Sequence, residues 1–130
     1  MNFVKEEERI NLDIPSDSNH HIRDHKLWFE NGTWYMLLGN STVEKGGRVL
    51  LYQSKSLKEW SFKFVLARSN GKMGYMFECP DFFRIVDKHV LIFFPQGMEA
   101  KYERYKNFNQ SGYLIGDFNY ENGVSNHNDF

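Results

Sequence analysis

The chain has 130 residues, enough for one domain with one modest hydrophobic core and nothing larger. Its 16 basic and 17 acidic side chains nearly cancel, which leaves no electrostatic footprint for nucleic acid or an anionic membrane surface. The single cysteine, Cys79, excludes an internal disulfide framework and fits a reducing cytoplasm. In chain order, residues 1–15 lack the apolar stretch of a signal peptide, and no later run is long enough to span a bilayer. The glycosylation-type triplets that begin at Asn31, Asn40 and Asn109 therefore carry no weight.

From there the pattern is strands and turns. HKLWF (25–29) runs through Glu30-Asn31-Gly32 into TWYMLLGN (33–40), and an Asn-Gly pair between apolar runs predicts a tight hairpin. After a glycine-rich turn come RVLLYQS (48–54), the connection SLKEW (56–60) and SFKFVLAR (61–68). The pattern then restarts with ECPDFFRIV (78–86), a turn at Asp87-Lys88, HVLIFFPQG (89–97), an insertion rich in Lys, Tyr and Glu, and SGYLIGDF (111–118), with a further strand expected in the tail. Aromatic residues at 17% suit both packed β-structure and sugar-stacking surfaces.

The two series superpose without a gap for 17 residues at a period of 55, with Arg23 to Phe29 falling on Glu78 to Arg84 and Trp34 to Leu38 on His89 to Phe93. Units of about 40–50 residues with four short strands are the mark of propeller blades. The expected fold is therefore all-β: an extended segment over 1–22, one blade over 23–72 and a second over 73–130. Propellers close with about four to eight blades, so two blades imply a partial propeller. Such a piece leaves apolar faces open and is expected to self-associate.

Charge falls at one point of both units. Arg23 and Asp24 open the first strand of one, and Glu78 opens that of the other inside the otherwise apolar MGYMFECPDFFRIV (73–86). First strands of propeller blades line the central channel, so these groups are expected to converge. Paired carboxylates are what glycoside hydrolysis requires, one to protonate the leaving oxygen and one to handle positive charge on the sugar. Met76 and Phe77 would desolvate Glu78 and favour its protonated form.

ECPDFF (78–83) and IRDHKLWF (22–29) resemble the Glu-Cys-Pro and Arg-Asp-Pro motifs of glycoside hydrolase family 32, which includes the invertases, β-fructofuranosidases and sucrose-6-phosphate hydrolases. SKSLKEW (54–60), FFPQG (93–97) and SGYLIGDFNYENG (111–123) are most similar to the bacterial sucrose-6-phosphate hydrolase branch. The resemblance implies a retaining hydrolase acting on sucrose or sucrose-6-phosphate, built on a five-bladed propeller, with no cofactor and no metal. It implies that Glu78 is the general acid/base, that Asp24 binds fructosyl hydroxyls and stabilises the transition state, and that Arg23 and Cys79 shape and bind around them. The family's nucleophile lies in an Asn-Asp-Pro-Asn-Gly-like motif on an earlier blade. No such motif occurs in this chain, which is therefore expected to be an inactive piece carrying blades two and three. His25 stands where the family has proline, so the fixed φ that would aim Asp24 is missing.

Other readings of the same residues stand beside this one. A non-catalytic carbohydrate-binding β-module would use the aromatics as a flat platform and Glu78 as a hydrogen-bonding group, and a structural assembly domain would keep the motifs as relics. Cys79 reads equally as a small buried hydrophobe, and Trp28, Trp34 and Trp60 as core. His21 and His25 have the spacing of a helical metal pair but precede a strand, which argues against a metal site. Lys101, Arg104 and Lys106 in the 98–109 insertion are either a solvated loop or a reach toward a sugar phosphate.

Overall fold

The computed structural model describes residues 2–101, 104, 106, 107 and 109–127, with the side chains of 124–127 excluded. Part of the 98–109 insertion and residues 128–130 of the tail lie outside the described residues. Every regular element among those described is a strand: β1 Asn11–Leu12, β2 Ser18–Glu30, β3 Thr33–Thr42, β4 Gly47–Ser54, β5 Glu59–Arg68, β6 Met76–Ile85, β7 Lys88–Gln96, β8 Gly112–Asn119 and β9 Gly123–His127. They form two sheets, ordered β1-β5-β4-β3-β2 and β6-β7-β8-β9. Each contains a four-stranded antiparallel meander, which is the blade of a propeller. Within the N-terminal segment, β1 joins β5 in parallel as an outer edge, and the inner strand β2 already begins at Ser18.

The 55-residue repeat is carried into the backbone. In blade one, Arg23 pairs with Gly39 and Lys26 with Leu37; in blade two, Glu78 pairs with Phe94 and Asp81 with Ile92. Three steps on one strand against two on its partner is a β-bulge, and it falls at the same place in both. The first bulged residue has a left-handed backbone in each case, Asp24 at φ 59 and Cys79 at φ 44. The hairpin turns agree at their first residue, Asn31 at φ 48 and Val86 at φ 55, while Gly32 has no left-handed counterpart in Asp87. Asn31 and Gly32 (φ 72) are both left-handed, the pattern that a two-residue turn matched to strand twist demands.

The core sits between the blades. Tyr35, Leu37, Val49 and Leu51 of blade one pack against Phe77, Phe82, Leu91 and Phe93 of blade two. Contact is close because blade one offers glycines where β6 crosses it: a Cβ on Gly39 would come 2.1 Å from the Phe77 carbonyl oxygen, and one on Gly47 2.6 Å from the Phe77 ring. The opposite face of blade one holds a second cluster of Met36, Leu38, Leu50, Tyr52 and Trp60, with Leu12 of β1 packed against it. Arg48 fastens the N-terminal segment across this sheet. It is buried, and its guanidinium forms a fork with Asp17 at 2.8 and 2.9 Å while also donating to Asn40 at 2.6 Å and to Ser18.

Candidate active site

Because β2 and β6 are the first strands of adjacent blades and carry the same bulge, residues 55 apart along the chain come face to face. The Asp24 carboxylate accepts the Cys79 backbone N–H at 3.0 Å, and the Cys79 thiol lies 3.7 Å from the same oxygen. Lys26 pairs with Asp81, again one repeat away. Arg23 Nη2 lies 3.0 Å from Glu78 Oε1. Opposite charges thus occupy equivalent positions of the two blades twice over, at 23 with 78 and at 26 with 81.

Glu78 is held from two sides. Arg23 takes one oxygen, and the side-chain amide of Gln96, at the end of β7, donates to the other at 2.7 Å. Arg23 is itself approached by His21 Nδ1 at 3.5 Å. Met76 and Phe77, the residues expected to desolvate Glu78, are fully buried and lie against Gly39 and Gly47. The groups bonded to the carboxylate are a cation and an amide, and a quarter of the Glu78 side chain is exposed.

Cys79 is exposed, unlike the small buried hydrophobe that a lone cysteine often is. Local burial and the neighbouring Asp24 carboxylate push its thiol up from the ordinary cysteine value, because both penalise a thiolate. His25 occupies in the first bulge the place that Pro80 holds in the second, and the two bulges share register and sign of φ. The missing proline therefore leaves the backbone at Asp24 in the same class of conformation as its counterpart. Asp is among the residues that reach the left-handed region most readily, and here the Asp24 carboxylate is met by the Cys79 amide of the adjacent blade.

Among the described residues no group of three or more His, Cys, Asp or Glu could hold a metal. Beyond the Glu78 cluster lies a hollow of about 700 Å³, lined by Tyr75 and Gly97, with Lys45, Lys72 and Lys101 opposed by one acid, Glu99. Tyr75 connects it to the cluster, since its hydroxyl lies 3.2 Å from Gln96 Oε1. The sequence reading gave no site role to Lys26, Asp81 or Gln96. Lys26–Asp81 was legible as opposite charges one period apart; Gln96 stood inside the quoted FFPQG, but nothing local says that its amide reaches back to β6.

Adjacent first strands of two blades, with an arginine–carboxylate pair and a second carboxylate at the same bulge, define a piece of a β-propeller with a charged cluster on its inner strands. Residues 1–130 match the glycosyl hydrolases family 32 N-terminal domain, and the chain belongs to that family. It is 44% identical over 104 residues to the raffinose invertase of Escherichia coli, covering 80% of this chain and 22% of that protein. It is 41% identical over 121 residues to the sucrose-6-phosphate hydrolase of Bacillus subtilis, covering 90% and 25%. Among solved structures it is similar to a Bombyx mori β-fructofuranosidase, a mutant in complex with sucrose, with a TM-score of 0.83, 43% identity and coverage of 91% of this chain and 25% of that one. The sucrose-6-phosphate hydrolase from Lactobacillus gasseri gives a TM-score of 0.71 at 36% identity, covering 85% and 23%. The chain thus spans about a quarter of the length of these relatives.

Proposed function

We propose that this chain is part of a retaining glycoside hydrolase that cleaves the β-fructofuranosidic bond of sucrose or sucrose-6-phosphate. The observation that carries the reading is the meeting of the two bulges, which puts Asp24 in contact with the residue next to Glu78. Glu78, protonated, gives its proton to the bridging oxygen as the bond to the fructosyl carbon breaks and the bonding pair leaves with that oxygen. Asp24 stays ionised and binds fructosyl hydroxyls as positive charge develops on the ring. Arg23 and Cys79 line the same site. The nucleophile is a carboxylate outside the 130 residues, so these residues alone release no fructose. That carboxylate bonds to the fructosyl carbon as the disaccharide bond breaks; Glu78, ionised by the first step, then takes a proton from the water whose oxygen displaces the carboxylate from that carbon.

The three lysines around the hollow are where a phosphate-bearing sugar would gain most over sucrose, since they lie beside the residue that bonds Gln96. A cytoplasmic location, suggested by the unpaired Cys79, belongs to the same proposal. The test is Glu78→Gln in the full-length protein, which keeps the shape and removes the transferable proton. Turnover on sucrose or its 6-phosphate should fall by about 10²–10⁴, and an activated aryl fructoside, which needs less protonation, should suffer less. Near-parental turnover of the natural disaccharide would show that Glu78 is not the acid.

A further inference from the structure

Glu78 is tied by a closed ring of three side chains. Its Oε1 meets Arg23 Nη2 at 3.0 Å, its Oε2 receives Gln96 Nε2–H at 2.7 Å, and the carbonyl end of the same amide lies 3.5 Å from Arg23 Nη2. That last distance is at the outer limit of hydrogen bonding, but the Tyr75 hydroxyl supports the carbonyl as well, at 3.2 Å. Chemistry fixes the sense of the amide. Turned over, its carbonyl would face a carboxylate oxygen and its NH2 a guanidinium, two repulsions in place of two attractions.

We propose that Gln96 is the positioning residue of the acid/base, holding Glu78 Oε2 and so fixing the direction in which the carboxyl is aimed. The proposal rests on the acid/base reading of Glu78. Gln96 is suited to this because it is neutral: its N–H can bond Oε2 in either protonation state of the carboxyl. Its main chain is fastened, too. The Gln96 carbonyl accepts the Tyr75 N–H at 2.9 Å, and the chain passes so close that a Cβ on Gly74 would come 2.0 Å from the Gln96 oxygen. One repeat earlier the same position is Ser41, just as Glu78 answers to Arg23. At this position a long amide thus occurs in the blade that has the glutamate and a short hydroxyl in the blade that has the arginine.

The experiment uses the full-length protein with Gln96→Met, which keeps length and loses both bonds, and Gln96→Glu, which keeps shape and sets a second carboxyl against the first. Glu78→Gln runs in parallel. Gln96→Met should lower kcat on sucrose about 10–100-fold with KM within about 3-fold, the pattern of a misaimed group rather than a lost binding contact. For Gln96→Glu the alkaline limb of the pH–rate profile should move upward by about one pH unit or more, since two carboxylates at bonding distance resist ionising together. The aryl fructoside should be less sensitive than sucrose to both changes. If Glu78→Gln collapses turnover while both Gln96 variants keep parental kcat and an unmoved pH profile, the positioning role is overturned and the acid role survives. If Glu78→Gln itself is near parental, the underlying reading has failed. Should Gln96→Met not fold, the pH profile of Gln96→Glu decides alone.

Discussion

Positions 39 and 94 stand at the same point of the two blades, yet one is glycine and the other phenylalanine. At Gly39 the next blade crosses so closely that even a methyl group would overlap the Phe77 carbonyl. Phe94 is 41% exposed, because no described element crosses there. The difference extends over whole faces. Blade one is covered on both sides, by blade two and by the N-terminal segment. Blade two is covered on one side, and its outer face leaves Phe94, Tyr113 and Ile115 exposed. A repeat therefore specifies backbone, while what packs on each face decides which side chains the backbone carries.

The largest effect should come from filling the crossing. Gly39→Ala pushes the blades apart or distorts β3, and is expected to destabilise the 130-residue chain by about 3 kcal/mol, at the upper end of overpacking costs. Phe94→Ala, its counterpart, should change folding stability by less than about 0.5 kcal/mol, as surface substitutions do. It should instead weaken the proposed self-association of the chain through the open face. Urea denaturation at low concentration reads the first effect, and light scattering at micromolar concentration reads the second. Equal costs at both sites would erase the comparison.

The covered back of blade one can be opened separately. Asp17→Ala leaves the buried Arg48 guanidinium without its carboxylate, and an uncompensated buried charge costs about 3–5 kcal/mol when both partners are interior. Half of the Asp17 side chain is exposed, so the expected loss is smaller, about 2 kcal/mol. Arg48 also holds the Asp17 carboxyl below the usual range by hydrogen bond and charge. A group with a lowered folded value contributes stability that is lost as pH falls through that value. The wild-type advantage over Asp17→Ala should therefore shrink in acid, below the ordinary aspartate range near 3.8. An advantage independent of pH would mean that the fork is not what secures the segment.

These devices mark the boundary of what the residues disclose before folding. The blade strands, the hairpin turns and the repeat were legible because apolar alternation and Asn-Gly turns are local. The bulges were hidden for an instructive reason: they fall at the same place in both blades, so they leave no gap in the superposition. Asp24, Glu78, Arg23 and Cys79 could be named as candidates from motifs, but Gln96, which bonds Glu78, could not. Gln96 and Arg48 act across strands and segments, through distances that spacing along one chain does not encode. The parallel edge strand β1, two residues long, carries no periodicity at all.

A subtler contrast separates Trp34 from its counterpart His89. The His89 ring stacks on Phe82 at 5.2 Å and meets Phe118 edge-on, and its Nδ1 is buried with no hydrogen-bond partner among the described residues. Burial pushes its protonation below the ordinary histidine value, nearby Arg84 adds to that, and Glu30 and Asp117 oppose it weakly. The unfolded chain then binds a proton that the folded chain resists, so stability should fall as pH drops below about 6.5. His89→Phe keeps the stacking and removes the proton site. Its stability should be flatter than wild type between pH 7 and 5 in urea titrations; parallel pH dependences would clear His89 of the effect.

The smallest expected change lies in the two hairpin turns, where Asn31 and Val86 share one left-handed backbone. Asn reaches that region at little cost, because its side chain is short and polar. Val does not, since its branched Cβ crowds the preceding and following peptide groups. Val86 gains nothing from burial in return, being 86% exposed. Its carbonyl is held by Arg84 Nε at 2.9 Å, a main-chain contact that survives any substitution of the side chain. Val86→Asn should accordingly relieve strain without removing a contact, and stabilise the chain by about 1 kcal/mol. Asn31→Val should cost a similar amount, giving changes of opposite sign at equivalent positions. Denaturant midpoints with unchanged slopes would report both as native-state effects. If Val86→Asn leaves the midpoint where it was, the second turn does not carry the strain of the first turn's geometry, and the two hairpins are less alike than their φ angles make them.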